Sequence, residues 1–466
     1  MSAPDLTAEK MNSFLGSGSD QHVTLLLGAG ASAASGLPGW EELAVRLLQE
    51  SGSVTEDDAA WRLVSRQDPL LVAEAARNRL GTRWDQQVRA ALYLNVSDLS
   101  PSSLHIAAAS HALAGDPSDT TVVTLNFDTL LEEAIDEAGG AIAAQSRVDD
   151  SRPSGVHSVH HLHGIASIRE TQDVVLTLSD YNELLGDPDS WQQRLLTTSA
   201  QQGAIVIAGT SYRDPDVRRW LHVALSATGA SNALVVLARE AFHVSRDEFD
   251  QIKDALADQW SAAGLTPVIV EDYSDAAQII RELRHLHDSG YSAPQQRAAT
   301  LWQAHADKFE NLQRQYSDQL LKDAATLRGA FNVDHLNVTL WIADGHGNVA
   351  RYAAQDRYLR TIDDVRHVPS GHDSQWIAGR ALGAEDTVFQ DLQEGTTSQW
   401  GTVCAIPVRV ELDGLPAIAS AVLSVGLPGN AEKYFQSSAM WVDTTLDVAV
   451  EWGDRLVAAT TSGSVA

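Results

Sequence analysis

Six continuously apolar runs of strand length recur between residues 23 and 271, and segments with helical character separate them. Continuous runs, rather than alternating ones, are typical of strands buried on both faces of a sheet. Their alternation with helices predicts a doubly wound, mostly parallel α/β sheet, whose ligands bind outside the carboxyl ends of the strands. The runs are VTLLLG at 23, TVVTLN at 121, VHSVHHL at 156, AIVIAG at 204, ALVVLA at 233 and TPVIVE at 266.

The character of the sequence changes near residue 290, where HDSGYSAPQQ is typical of a linker. One long connecting helix is predicted from about 295 to about 328 because its larger apolar residues fall on one helical stripe. A smaller α+β domain follows, with an antiparallel strand pair around the Asp-Gly turn of VRVELDGLPAIASAVLSV, and then a closing helix. The stripe consists of Leu301, Phe309, Leu312, Tyr316, Leu320 and Leu327.

Charge and cysteine content exclude several classes of function. The chain has 466 residues, a formal net charge of -29 and one cysteine, Cys404. Because such a chain repels phosphate backbones on average, no direct binding to nucleic acid is expected. One cysteine allows no disulfide within the chain and no multi-cysteine zinc site, which fits a reducing, cytoplasmic location. Neither a secretory signal nor an apolar run of membrane-spanning length is recognisable, so no membrane association is expected.

A glycine-rich turn follows the first apolar run, in GAGASAASGLPGW. Gly28, Gly30 and Ala33 fit the dinucleotide-binding pattern G-x-G-x-x-A, in which glycines allow close backbone approach to a pyrophosphate. Glu50 lies near the spacing expected for an acid that binds a ribose. The alternative is a tight strand-to-helix turn without a ligand.

Polar residues follow the second run, in TLNFDTLLEEAIDEAGG. Asn126 and Asp128 come directly after a buried strand, where ligands bind in this architecture. Thr129 and Glu132 match a capping box, so a helix is predicted to begin there. The alternative is that Asn126 and Asp128 are only loop and capping residues.

Four histidines lie in the third run, VHSVHHLHG. If residues 156–163 form a strand, His157, His161 and His163 share one face and His160 occupies the other. His163 ends the strand and can act as a general base near neutral pH. A metal held by the three histidines on one face is the less favoured alternative, since no further ligand completes the set. Packing is the expected role of the other three histidines.

Small hydroxyl residues end the fourth run, in AIVIAGTSYRDPDVRRWL. Gly209, Thr210 and Ser211 follow the strand, and Asp214-Pro215 opens the next helix. Hydroxyl groups at a strand end suit ribose or phosphate oxygens. An ordinary loop without a ligand remains equally compatible with this segment.

Together and in this order, GAGAS with SGLPGW, TLNFD, HG and GTS resemble the sirtuin-like family over roughly residues 20–280. The resemblance implies a Rossmann-like fold that binds NAD as its substrate and attacks the nicotinamide–ribose bond. It implies that Asn126 and His163 are catalytic. The implied cofactor-binding residues are Gly28, Ala29, Gly30, Ser32, Asp128, Gly209, Thr210 and Ser211.

One departure from the family changes the implied reaction. Protein deacylases of this family carry a zinc module held by four cysteines, whereas this chain has only Cys404, so neither zinc nor another metal is expected. The SGLPGW loop resembles instead the bacterial antiviral branch, as in Thoeris-type effectors, whose members hydrolyse NAD. The resemblance therefore implies an NAD glycohydrolase. The alternatives are a non-catalytic regulator that binds NAD or ADP-ribose, an NAD-dependent deacylase and, from G-x-G-x-x-A alone, an oxidoreductase.

Residues 331–430 resemble a GAF domain through LNVTLWIADGHGNV, SQWIAGRALGAEDTVFQDL and WGTVCAIPVRVELDGLPAIASAVLSV. Trp341, Trp376 and Trp400 are candidate pocket aromatics, although core packing is the alternative for each. Because unregulated NAD hydrolysis would kill its host, we expect a homo-oligomeric effector switched on by an unknown ligand or protein. The predicted segments are a lead (1–20), a catalytic domain (21–290), a connector helix (291–330), a GAF-like domain (331–430) and a C-terminal helix with tail (431–466).

Overall fold

The chain folds into two compact units that divide between Ile269 and Val270 in the computed structural model. The division precedes the linker-like sequence near 290 because residues after 270 pack within the C-terminal unit. Ser274 Oγ donates to the carbonyl of Gly383, and Arg281 pairs with Glu385. The structure describes residues 22–94, 96, 99–147, 155–187, 190–210, 215–228, 232–355, 357–392, 399–436 and 440–461.

A seven-stranded sheet forms the centre of the N-terminal unit. The strands of this unit are β1 (His22–Leu27), β2 (Thr120–Thr124), β3 (Ile142–Gln145), β4 (His157–His161), β5 (Ile165–Ala166), β6 (Thr171–Gln172), β7 (Gly203–Ala208), β8 (Ala233–Ala238) and β9 (Thr266–Val270). The two short strands β5 and β6 pair with each other in a separate two-stranded ribbon. The order in the sheet is β3-β4-β2-β1-β7-β8-β9, and the strands from β3 to β8 in this order pair in parallel. The predicted parallel sheet is therefore confirmed.

Strand order reverses at β1, which lies between β2 and β7. Such a topological switch point opens a crevice at the carboxyl ends of the strands. The central strands are buried on both faces, and Leu25, Ile205 and Val235 are completely buried. This two-sided burial explains why the strands appear in the sequence as continuous apolar runs.

Helices pack against the sheet, and within the described residues six helices lie between β1 and β2. Within this insertion, α4 begins after Asp68, whose side chain accepts a hydrogen bond from Leu70 N, and Pro69 takes the first helical position. The helices are α1 (Ala29–Ala33), α2 (Trp40–Glu50), α3 (Asp57–Val64), α4 (Pro69–Leu80), α5 (Trp84–Leu92), α6 (Ser103–Leu113), α7 (Leu130–Glu137), α8 (Leu178–Gly186), α9 (Trp191–Gln202), α10 (Pro215–Thr228) and α11 (Arg246–Ala262).

The C-terminal unit contains a six-stranded sheet in the order β12-β11-β10-β15-β14-β13, with antiparallel neighbours. Its strands are β10 (Asn337–Ala343), β11 (Asn348–Ala354), β12 (His367–Pro369), β13 (Val388–Asp391), β14 (Thr402–Val410) and β15 (Ile418–Leu427). Its helices are α12 (Tyr273–Glu282), α13 (Pro294–Asp307), α14 (Phe309–Phe331), α15 (Ile377–Ala384), α16 (Glu432–Gln436) and α17 (Met440–Thr461). The predicted β14–β15 hairpin is confirmed, with Asp413 and Gly414 at positive φ in its turn.

The predicted connector helix is two helices, α13 and α14, which meet at Lys308. Lys308 has φ of -105 and ψ of 12, outside the helical region. The break is compatible with the apolar stripe because Leu301 of α13 and Leu320 of α14 belong to the same core cluster. The cluster also contains Trp452 of α17, whose Nε1 donates to Asp323 Oδ2 over 2.7 Å.

The three candidate pocket tryptophans have different environments in the C-terminal unit. Trp341 is buried in the core cluster that α15 covers, as the packing alternative predicts. Trp376 is partly exposed and lies beneath the guanidinium of Arg366 at 3.9 Å from the ring centroid. Trp400 covers Gly426, where a Cβ atom would collide with the indole ring. Ligand binding by this unit and its GAF-like identity stay predictions.

Among the described residues, we find no helix with the length and apolar character needed to cross a membrane.

Candidate functional site

The loops that follow β1 and β7 are bonded to each other at the switch point. Gly28 N donates to Ala208 O over 3.0 Å, and Gly30 N donates to Gly209 O over 2.8 Å. A Cβ atom on Gly28 would lie 2.7 Å from Gly209 O and 2.9 Å from Thr210 Cα. Glycine at position 28 therefore allows the two loops to approach closely. The backbone N–H groups of Gly28 and Gly30 both donate to the loop after β7 or to the end of that strand. Ala29, between them, is exposed.

Asn126 follows β2 and reaches the loop after β1. Its side chain is buried, and Nδ2 lies 3.1 Å from Gly28 O and 2.6 Å from Ser32 Oγ. A carbonyl oxygen only accepts, so the atom that faces Gly28 O must be the amide NH₂ group. This contact determines the orientation of the amide and leaves Oδ1 for another partner. Within the described residues, no donor contacts Oδ1.

Ser32 links Asn126 to Asp128. Ser32 Oγ accepts from Asn126 and donates to Asp128 Oδ2 over 2.7 Å. Asp128 Oδ1 also accepts from Leu130 N at the start of α7. Asp128 thus anchors the serine and binds a free amide at the helix terminus. The structure brings together Gly28, Ser32, Asn126 and Asp128, as their positions at strand ends predict.

The predicted capping box at α7 is wrong. Thr129 occupies the N-cap position but makes no side-chain capping hydrogen bond. Glu132 instead turns into the unit, where its Oε1 lies 2.7 Å from Nε2 of His161. Glu132 is buried together with Leu131 and Ile135 of the same helix. In the sequence, Glu132 occupies the buried face of α7 among apolar residues, and an acid at such a position indicates a buried polar partner.

His161 ends β4 and is completely buried. Its Nδ1 lies 2.9 Å from the main-chain oxygen of Asn126, and its Nε2 contacts Glu132. Burial opposes the charged imidazolium, but the Glu132 charge and the hydrogen bonds outweigh it, so the pKa of His161 is raised. Packing alone therefore does not describe His161. With both ring nitrogens engaged, His161 cannot also bind a metal in the three-histidine arrangement.

His163 lies beyond the strand, because β4 ends at His161 rather than at residue 163. The predicted common face of the three histidines therefore does not extend to His163. Its ring is buried, with centroids of Tyr181 and Trp220 at 5.4 and 6.0 Å. Both aromatic neighbours come from helices distant in the sequence, so no local pattern indicates them.

Backbone hydrogen bonds hold the segment around His163 beside the Asn126 loop. Leu162 N donates to Thr124 O over 2.9 Å, and Ala166 N donates to Phe127 O over 2.7 Å. Gly164 has φ of +84, and a Cβ atom there would collide with the Asp173 backbone. Glycine after His163 thus permits the turn that places this histidine.

The remaining predicted residues have simpler placements. Thr210 follows β7 next to Gly28, whereas Ser211 and Asp214 lie outside the described residues. Glu50 is the exposed last residue of α2 rather than the end of a strand, and its ribose-binding role stays a prediction. His157 and His160 are buried in β4, as packing predicts.

The parallel sheet and the polar loops at its switch point define a Rossmann-like α/β domain. Residues 120–268 match the family model described as SIR2-like domain, so this segment is similar to SIR2-like domains. A solved structure described as "Structural Basis for the Mechanism and Regulation of Sir2 Enzymes" is similar at 16% identity and a TM-score of 0.31, over 60% of this chain and 94% of that chain. No curated protein matches significantly.

Proposed function

We propose that the chain is an NAD glycohydrolase. The reaction uses water to cleave the nicotinamide–ribose bond of NAD and yields nicotinamide, ADP-ribose and a proton. The sirtuin-like match supports NAD as the substrate. The observation that carries the proposal is the orientation of Asn126, whose NH₂ group is held by Gly28 O and Ser32 Oγ.

The fixed orientation of the Asn126 side-chain amide is appropriate for cleavage of a glycosidic bond. Loss of nicotinamide leaves an oxocarbenium-like ribose, which water must approach on its open face. Asn126 Oδ1 can accept a hydrogen bond from that water or from a ribose hydroxyl. His163, against Tyr181 and Trp220, is the group that takes the proton.

Hydrolysis is favoured over deacylation by the cysteine count. Protein deacylases of the sirtuin-like family hold zinc through four cysteines, and this chain has one cysteine. Cys404 is buried in β14 of the C-terminal unit, and its thiol pKa is raised by burial. We further propose that the enzyme is a regulated antiphage effector, with the C-terminal unit receiving the activating ligand or protein.

The test measures nicotinamide released from NAD by the purified full chain, and NAD in bacteria that express it with and without phage. Asn126→Ala and His163→Ala should each reduce NAD consumption by about 100-fold or more. The exposed residues Asn182 and His222 supply matched controls, since Asn182→Ala and His222→Ala should retain activity.

Unchanged NAD consumption in both Asn126→Ala and His163→Ala would overturn the assignment of the site. NAD that stays intact in every condition would overturn the hydrolase itself. Binding of NAD without release of nicotinamide would then identify a regulator that only binds the nucleotide.

A further inference from the structure

The hydrogen-bond partners of His161 determine the protonation state of the His161–Glu132 pair. His161 Nδ1 faces a main-chain carbonyl, which only accepts, so Nδ1 carries a hydrogen. Nε2 and Glu132 Oε1 lie 2.7 Å apart, which requires a second hydrogen between them. The pair therefore holds one proton more than a neutral imidazole beside a carboxylate. Glu132 Oε2 is buried and has no hydrogen-bond partner within the described residues.

Among the other titratable groups near the pair, Asp128 favours the protonated state, whereas Tyr93 and His105 stay neutral. The negative charge of Asp128 acts on His161 and also raises its pKa. Tyr93, whose OH donates to Ala166 O, stays neutral because burial and nearby acids raise its pKa. His105 of α6 stays neutral because burial lowers its pKa. Glu133, the neighbour of Glu132, is exposed.

We propose that the protonated His161–Glu132 pair is a clamp on the main chain of Asn126, and that His161 is a positioning residue for NAD cleavage. This inference rests on the proposed function. The side-chain amide of Asn126 is held by Gly28 O and Ser32 Oγ, and its main-chain carbonyl oxygen is held by His161 Nδ1. The clamp thus sets the backbone from which the Asn126 amide extends.

Loss of the extra proton releases the clamp at a particular atom. The hydrogen bond from Nε2 to the carboxylate is charge-assisted and is the stronger of the two. The proton that leaves is therefore the one on Nδ1, which then presents a lone pair to the Asn126 carbonyl oxygen. Attraction becomes repulsion there, and the loop that carries Asn126 moves.

The sign of the pH dependence follows from the raised pKa of His161. The clamp is complete below the ordinary histidine value of 6.5 and is lost as pH rises through the higher folded-state value. We therefore expect kcat to fall on the alkaline side, while KM changes less. A displaced catalytic group costs about tenfold or more in rate.

The Glu132→Gln variant removes the extra proton of the pair but keeps a hydrogen bond between residue 132 and His161 Nε2. The glutamine amide can donate to Nε2 of a neutral His161, whose Nδ1–H still holds the Asn126 carbonyl. The alkaline fall in kcat should therefore disappear in Glu132→Gln. Glu133→Gln, the same change on the exposed next residue, should keep the wild-type pH profile.

The experiment measures kcat and KM from about pH 6 to about pH 10 in the full chain and both variants. A wild-type alkaline fall that remains in Glu132→Gln would overturn the clamp while leaving the hydrolase intact. Absence of nicotinamide release from the purified wild type, together with intact NAD in cells that express it with and without phage, would instead overturn the proposed function.

Nitrogen-15 NMR of histidine rings tests the clamp without activity, with His161→Gln identifying the resonance. A doubly protonated His161 ring that persists above its ordinary pKa, and becomes neutral in Glu132→Gln, supports the clamp. A ring that is neutral at and above that ordinary pKa overturns it, whether or not NAD is cleaved.

Discussion

At the scale of residues, Ser32 connects the candidate site. Its hydroxyl accepts from Asn126 and donates to Asp128, so one oxygen orients both polar side chains. Motif spacing placed these residues at strand ends, and the shared carboxyl edge of parallel strands made their proximity predictable. The roles of Ser32 and Glu132 were not predictable in the same way, because each depends on a hydrogen bond to a residue distant in the sequence.

Ser32→Ala should reduce NAD consumption by about 10- to 100-fold, because Asn126 loses one of the two acceptors that hold its amide. Ser35→Ala is the matched control, since Ser35 Oγ is buried and has no partner within the described residues. Nicotinamide release and thermal unfolding are measured for both. Equal activity in the two variants would contradict the role of Ser32.

At the scale of elements, two-sided burial made the parallel strands the most predictable part of the fold. The helices were less predictable where tertiary contacts decide their ends. The connecting segment has one apolar stripe but breaks at Lys308, and both α13 and α14 contribute to one core. Neither proline nor glycine marks this break in the sequence.

The packing of α17 on β14 provides a test at this scale. A Cβ atom on Gly453 would collide with the main-chain oxygen of Arg409, whereas one on Gly329 of α14 meets open space. Gly453→Ala should therefore destabilise the C-terminal unit by about 1–3 kcal/mol. Gly329→Ala should stabilise it by about 0.5–1 kcal/mol, because alanine favours a helix.

Urea unfolding of both glycine variants, followed by the reactivity of buried Cys404, reports on this unit. A Gly453→Ala variant as stable as the wild type would show that α17 can move away from β14 at little cost.

At the scale of the whole molecule, acidity is the dominant property. The chain has 62 acidic residues against 33 lysines and arginines. Like charges repel most strongly in the compact state, and salt screens this repulsion. The unfolding temperature should therefore rise by several degrees between about 20 mM and about 300 mM salt.

Thermal unfolding in sodium chloride and in potassium chloride measures this effect. The two salts should act alike at equal ionic strength, because screening depends on charge rather than on the identity of the cation. An unfolding temperature that falls with salt would mean that favourable ion pairs, such as Arg77 with Asp180, outweigh the net repulsion.

The sequence by itself determined the parallel sheet, the hairpin at Asp413 and the strand-end positions of Asn126, Asp128 and Gly209. These features depend on local patterns of apolar burial, turn chemistry and chain direction. Only the tertiary structure decided that Glu132 faces His161 and that residues after 270 join the C-terminal unit. Those outcomes depend on contacts between residues distant in sequence, whose energies no local pattern records.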